Sequence, residues 1–398
     1  MTSRRSRAAG CGILPRVTVS IWISCASLLA WLWLTFCQGG FWRTDQRLPP
    51  RREDAPRPPV AIVVPARDEA EVLPLSLASV LAQRYPGDAR VILVDDNSTD
   101  GTGESARKLG AAPDARLPLT VTTPGEPPAG WTGKLWALRH GVEAAGPDIT
   151  YLLLTDADIA HDPDSLDALV AAAETGGYDL VSQMARLNTQ TRWEKLIVPA
   201  FVYFFAQLYP FRWSNRPGSR TAAAAGGCTL VRRDALERAG GVAAIRGAVI
   251  DDVNLARLVK RAGGRTWLGL ADRVDSVRPY PRLAQLWHMV ARSAYAQLRH
   301  NVLLLAGTVL GLALVYLVPP VFTVLGAVTG RPGVWGPALA AWALMAVTFS
   351  QMLRYYRLPA WQSVLLPFTA LLYTLMTVDS AVQHWRGRGA AWKGRTYP

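Results

Sequence analysis

The sequence predicts an α/β fold: a doubly wound, mostly parallel sheet carrying transmembrane helices at its N- and C-terminal ends. Three observations point there. Between about residues 60 and 290, short apolar runs alternate with segments of helical periodicity, the pattern of buried parallel strands joined by crossover helices. Three of these runs end in acidic clusters: Val91-Ile92-Leu93-Val94-Asp95-Asp96, Leu152-Leu153-Leu154-Thr155-Asp156-Ala157-Asp158 and Ala248-Val249-Ile250-Asp251-Asp252. Carboxylates at strand ends sit at the rim where open α/β sheets bind ligands. Apolar stretches of about 19 residues or more flank the region on both sides, long enough to cross a bilayer.

The elements follow in order. Residues 1–16 carry Arg4, Arg5, Arg7 and Arg16, and residues 17–37 are uncharged. That apolar core is long for a cleaved signal peptide, and Trp22, Trp31 and Trp33 suit an anchored helix. Residues 1–42 thus form a basic segment and anchor, and the Arg- and Pro-rich residues 43–59 a linker. Strands are expected at 60–65, 91–94, 119–121 and 151–154. Helices are expected at 70–83, around 105–109, and at 135–145, 165–174 and 253–261. Residues 193–213 are apolar and aromatic but broken by Pro199 and Pro210. They fit a helix lying in the membrane interface and an ordinary core helix equally well. The soluble domain covers 60–300.

Residues 301–384 hold two to three transmembrane helices: 301–328, interrupted by Pro319-Pro320, then 334–352 and 361–382. The tail, 385–398, is basic (Arg386, Arg388, Lys393, Arg395). One anchor plus three such spans would put that tail across the membrane from the soluble domain, against the positive-inside tendency.

Composition agrees with a membrane protein. The 398 residues are 50% hydrophobic and 18% charged, with a net charge of +13. A basic balance suits an anionic membrane face or phosphate substrates, and no nucleic-acid motif is present. Cys11, Cys25, Cys37 and Cys228 form no Cys-x-x-Cys, so neither a disulfide framework nor a zinc site is expected.

The acidic clusters suggest chemistry, each against a plainer alternative. Asp156 and Asp158, two apart on a turn, can hold a hard divalent cation, which would bridge diphosphate oxygens; the alternative is a helix cap or surface turn. Asp95 and Asp96 can accept hydrogen bonds from a base or ribose, while Ser98, Thr99 or Asp100 caps the next helix. Arg67, in Ala66-Arg67-Asp68-Glu69, can meet a base or phosphate, or lie in a solvated turn. Lys134 follows Gly130-Trp131-Thr132-Gly133 at a helix start, where an anion is favoured, although the stretch is no Walker motif. Asp251 and Asp252 open a helix. They are favoured there by the dipole alone, and one can serve as a general base. Arg292, near Trp287 and Tyr295, can pair with phosphate. His288 and His300 read as structural or interfacial.

Taken together and in this order, VVPARDEAEVL, VDDNSTDGT, GWTGKLWALRHGVEAA, LLLTDADI, AAAAGGCTLVRRDAL and IDDVNLARLVKRAGGR resemble the family 2 inverting glycosyltransferases of GT-A fold. The resemblance covers roughly residues 60–295. It implies that Ala66, Arg67 and Glu69 form the first nucleotide-binding loop, and Asp95 and Asp96 the base-binding acids. Asp156 and Asp158 match the metal-binding Asp-x-Asp, Gly227 the acceptor-side glycine motif, and Asp252 the catalytic acid of a Glu-Asp pair in which Asp251 replaces Glu. The family's Gln-x-x-Arg-Trp motif is degraded: Arg292 matches its Arg, but Met289 and Ser293 replace Gln and Trp. The GWTGK stretch, the aromatic segment at 193–213 and the MVARSAYAQLRHN run resemble the hopanoid-biosynthesis-associated members.

The resemblance implies a metal-dependent enzyme (Mg or Mn) that moves one sugar from a nucleotide diphosphate-sugar, uridine diphosphate-linked in the family, to a lipid hydroxyl. A hopanoid is the acceptor by the finer likeness. The expected setting is multi-pass in a bacterial-type inner membrane, with the catalytic domain cytoplasmic and no nucleic-acid partner. The rivals are a processive polysaccharide synthase and a non-catalytic membrane scaffold of a lipid pathway.

Overall fold

The computed structural model describes residues 13–50, 52–387, 391–392 and 395–396; Arg4, Arg5, Arg7, Cys11, Arg388 and Lys393 lie outside the described residues. Its main elements are α1 (Ile13–Phe36), β1 (Val60–Ala66), α2 (Ser76–Leu81), β2 (Ala89–Asp95), α3 (Thr102–Gly110), β3 (Leu119–Thr122), α4 (Gly133–Ala144), β4 (Tyr151–Leu154), β5 (Ile159–His161), α5 (Ser165–Gly176), β6 (Leu180–Arg186), α6 (Arg192–Leu208), α7 (Phe211–Ser214), β7 (Thr229–Arg232), α8 (Arg233–Arg238), α9 (Asp251–Arg261), β8 (Thr266–Ser276), α10 (Leu283–Gln297), α11 (Val302–Leu312), α12 (Val318–Val328), α13 (Pro332–Tyr355) and α14 (Leu366–Trp385).

Eight strands form one sheet, in the order β3-β2-β1-β4-β7-β6-β8-β5. The half made by β3, β2, β1 and β4 is parallel, as the alternating pattern predicts. Beyond it the sheet is mixed: β7 runs antiparallel to both β4 and β6, and β5 antiparallel to β8. Successive strand residues face opposite sides. Ile62, Val64, Leu93 and Leu153 therefore enter one core, and Ala61, Val63, Ile92 and Leu154 another. Both faces are covered, hence the unbroken apolar runs. Packing is close at Gly141 of α4, where a Cβ would stand 2.4 Å from a Val63 methyl carbon.

The structure differs from expectation in three places. The helix expected at 70–83 is only α2, because Pro74 has no N–H to donate and residues 70–75 form turns. Strands β5, β6, β7 and β8 had not been anticipated. In β8 the exposed Asp272 and Arg273 interrupt the apolar pattern. Residues 43–59 are strapped to the domain rather than free: the Leu270 N–H donates to the Gln46 carbonyl at 2.8 Å, and Arg57 pairs with the fully buried Asp167.

The segment at 193–213 belongs to a core. Thr191 and Glu194 form a capping box that starts α6. Ile197, Val198, Val202 and Tyr203 then pack with Trp31, Met345, Phe349 and Ala370 of the apolar helices. Tyr203 and Thr348 share a hydroxyl hydrogen bond of 2.8 Å, and the Tyr373 hydroxyl donates to the Ile197 carbonyl at 3.2 Å. Residues 192–208 thus join the sheet domain to the helical bundle.

Four helical stretches are long and apolar enough to cross a membrane: Thr18–Phe36, Val302–Val328, Pro332–Tyr355 and Ala360–Trp385. Pro319-Pro320 does not break the second. A π turn at Ala313–Leu317 precedes the prolines and the helix continues. At one tip of the bundle Gly326 meets Trp335, and Gly333 meets Ile21. The other end lies at the sheet domain, where the Tyr355 hydroxyl donates to the Ala271 carbonyl at 2.7 Å. The last turns of α14 are at this same end. Asp379 accepts from the Trp287 indole at 2.8 Å, the Ser380 hydroxyl accepts from the Tyr295 N–H at 3.0 Å, and the His384 ring stacks on His300 with centroids 4.2 Å apart.

Candidate active site

The parallel strands β2 and β4 deliver Asp95–Asp96 and Asp156–Asp158 to one edge, whereas the apolar run 248–250 forms no strand and Asp251–Asp252 come to the cluster from the start of α9. Ala66 is in register with Asp95, and Val63 with Leu154. The loops that follow are laced together. The Asp96 N–H donates to the Ala66 carbonyl at 2.8 Å, and Asp96 itself is fully buried. The Arg67 guanidinium donates to the Asp96 carbonyl at 2.6 Å. Asp95 turns its loop by accepting from the Ser98 N–H at 3.0 Å. Among the expected caps, Asp100 accepts from the Thr102 N–H at 3.0 Å and the Ala70 N–H at 2.9 Å. The Glu69 N–H donates to the Thr102 hydroxyl at 2.8 Å.

After β4 the chain presents Asp156 and Asp158, and each is met by a cation. Lys134, at the start of α4, lies 2.8 Å from Asp156 and 3.0 Å from Asp251. Thr132 caps α4 by accepting from the Leu135 N–H, which aims that first turn at the cluster. Burial opposes the Lys134 charge, but Asp156 and Asp251 outweigh it and hold the ammonium protonated. Burial pushes the Asp156 carboxyl up, against the pull of Lys134. Asp158 pairs with Arg278 at 2.7 Å, and Arg278 also pairs with Glu69.

Asp252 lies in the first turn of α9. Its carboxylate accepts from the Val253 N–H at 2.7 Å and the Gly226 N–H at 2.8 Å. Burial and then the adjacent Asp251 push its pKa up to about 7, while Lys134 and the two N–H groups pull less strongly the other way. A carboxylate poised there suits proton abstraction near neutral pH.

The glycine pair divides its work. A Cβ on Gly226 would stand 3.4 Å from the Lys134 ammonium and 3.5 Å from Asp252; one on Gly227 would instead meet Ile159 and Ala185. Gly226, not Gly227, therefore faces the acidic cluster. The Gly227 carbonyl accepts from the Thr155 hydroxyl at 2.8 Å, and the Thr155 oxygen lies 2.9 Å from His161 Nε2. With Thr155 donating onward, His161 donates from Nε2, and its Nδ1 faces the Ser165 hydroxyl at 3.2 Å. Burial pushes the His161 pKa down to about 4, so the ring is a neutral brace.

Arg292 is exposed on α10, and its side chain makes no hydrogen bond or ion pair among the described residues; its charge lies near the Tyr280 phenol. Sequence reasoning missed Arg278 and His161, and it assigned the acceptor side to Gly227 rather than to its neighbour Gly226. Arg278 follows an unrecognised strand, so the available signal was that strand's end.

Asp156 and Asp158 suit a hard divalent cation, since both already hold positive charge in the form of N–H cations. Among the described residues no group of three or more His, Cys, Asp or Glu side chains forms a metal cluster. Diphosphate and water oxygens would have to complete the coordination.

Comparison with known proteins bears on the family and the fold. The glycosyl transferase family 2 model matches residues 61–240, and the glycosyl transferase family group 2 model residues 151–381. An undecaprenyl-phosphate 4-deoxy-4-formamido-L-arabinose transferase of Aeromonas hydrophila is 34% identical over 140 residues, 34% of this chain and 39% of that protein. An undecaprenyl-phosphate mannosyltransferase of Micrococcus luteus is 30% identical over 135 residues, 34% of this chain and 52% of that protein. The chain thus spans about half or less of the length of these relatives. A mannosyltransferase from Pyrobaculum calidifontis, solved with GDP-Man and Mn2+, superposes with a TM-score of 0.54 at 20% identity, covering 94% of this chain and 99% of that one. That likeness is one of fold.

Proposed function

Because the chain belongs to glycosyltransferase family 2, we propose that it is a membrane-bound inverting transferase moving one sugar from a nucleotide diphosphate-sugar to a lipid acceptor. The observation that carries this reading is the convergence of Asp156, Asp251, Asp252 and Lys134 at one sheet edge, beside a helical bundle of membrane-spanning length. The Asp95–Asp96 loop and Arg67 receive the base and ribose, with uridine the family's usual base. A Mg or Mn ion held by Asp156 and Asp158 would neutralise charge growing on the leaving diphosphate. Lys134 is placed to share that charge. Asp252 takes the acceptor proton, so that the acceptor oxygen attacks the anomeric carbon from the face opposite the diphosphate. Asp251 and the Gly226 N–H fix the position and basicity of Asp252.

The acceptor oxygen belongs to a hopanoid-type hydroxyl on the finer sequence likeness. A polyprenyl phosphate is the second reading, favoured by the names of the relatives. Single transfer is favoured over processive synthesis by the degraded motif around Arg292. The intact acidic clusters favour an enzyme over a scaffold.

The membrane arrangement is part of the proposal. The crossings are α1, the α11–α12 run and α13, with the sheet domain cytoplasmic in a bacterial inner membrane. Residues 356–385 enter and leave on the domain's side, because α13 ends against Ala271 and α14 ends against His300. The basic tail then returns to the cytoplasmic side, which removes the conflict with the positive-inside tendency.

The test uses full-length protein in detergent with bacterial lipid extract and a panel of nucleotide diphosphate-sugars, with and without Mn2+ or Mg2+. Metal-dependent nucleoside diphosphate release, together with a lipid gaining one sugar mass, is expected. The mass of the product lipid separates a hopanoid from a polyprenyl phosphate. Asp158→Ala should lose metal-dependent nucleotide binding. A product ladder would point to a synthase, and neither binding nor release from folded protein to a scaffold.

A further inference from the structure

Arg278 is assigned no role by family resemblance, yet its contacts are specific. It leaves the end of β8 and donates from Nε to Asp158 at 2.7 Å, and its other arm pairs with Glu69. The segment that carries it is pinned on both sides. The Val277 N–H donates to the Asp158 carbonyl at 2.9 Å, and the Tyr280 N–H donates to the buried Glu194 carboxylate of α6 at 2.6 Å. The segment from Val277 to Tyr280 thus bridges the turn after β4 and the helix α6 that joins the domain to the apolar bundle, and Arg278 projects from it onto Asp158 and Glu69.

Resting on the donor-site reading above, we propose that Arg278 is a positioning residue that exchanges partners. Its guanidinium pairs with Asp158 and Glu69, would yield Asp158 to a divalent cation held there, and would then be placed to bind the donor diphosphate. Charge accounting supports this. Lys134 pairs with Asp156 and Asp251 beside Asp252, and Arg278 pairs with Asp158 and Glu69, so carboxylates outnumber the two cations that meet them. A divalent ion arriving at Asp158 competes directly with the guanidinium. Once released, the guanidinium would offer a donor diphosphate the planar fork suited to phosphate oxygens. Only about a quarter of the Arg278 side chain is exposed (26%), so it has little water to turn to in place of an anion.

The exchange makes a paired prediction that a purely structural arginine does not. In full-length protein, Arg278→Gln should bind Mn2+ alone roughly three- to tenfold more tightly, because a competitor is gone. In saturating Mn2+ it should bind UDP or GDP more weakly by a similar factor. Arg278→Lys should restore part of both effects. Mn2+ binding is read by electron paramagnetic resonance, nucleotide binding by calorimetry, and folding by thermal melting. Unchanged or weaker Mn2+ binding in folded Arg278→Gln overturns the exchange. If the wild type itself binds neither Mn2+ nor nucleotide, the donor-site reading fails, and the exchange with it.

Discussion

The Asp252 carboxylate accepts a 2.8 Å hydrogen bond from the Gly226 N–H. A glycine loop before β7 thereby holds the candidate base at the start of α9.

Asp252→Asn keeps the shape but cannot take a proton, and its amide NH2 replaces one of the two oxygens that accept from the Val253 and Gly226 N–H groups. Transfer should fall by about 10²–10⁴-fold, with Mn2+-dependent nucleotide binding retained. Near-normal turnover in this variant would refute the base assignment.

Asp252 must be ionised to act, and its pKa is pushed up to about 7. The kcat/KM of transfer should therefore rise with pH through about 7 and level off above it. Lys134 pulls this pKa down, so Lys134→Met should move the inflection to higher pH. The sign for stability is opposite. A carboxyl raised on folding favours the fold while protonated, so its contribution is lost as pH climbs from about 4 towards about 7. A pH–rate profile and a melting series on the same samples check both.

The two glycines should fail differently. Gly226→Val crowds Lys134 and Asp252 and should abolish transfer with little change in Tm. Gly227→Ala brings a Cβ 3.1 Å from Ile159, an overpacking cost on the order of 1 kcal/mol, and should lower Tm first. Paired melting and activity measurements distinguish them, and identical behaviour would contradict the division of roles.

A single cysteine introduced near the tail, at Arg386 in a background lacking the native cysteines, should react with impermeant thiol reagents only when the cytoplasmic side is open. Labelling from the outer side of intact cells would mean that α14 crosses the membrane.

Much of the site was legible in the sequence because its signals are local. Asp95, Asp96, Asp156 and Asp158 follow apolar runs, and Asp251 and Asp252 open a helix. The parallel half of the sheet was legible for the same reason. Strands β5 to β8 were not, since their pairing depends on distant partners and β8 is interrupted by charge.

The sequence by itself determined the strand–helix alternation, the acidic strand ends and the apolar helices, because hydrophobic periodicity and turn chemistry act over a few residues. Only the tertiary structure decided that Gly226 rather than Gly227 faces the cluster and that Arg278 meets Asp158, 120 residues away. It also decided that residues 192–208 are core and that α14 ends beside His300. Such contacts join segments far apart in the chain, and their partners are chosen by sheet register and helix packing, which no local pattern encodes.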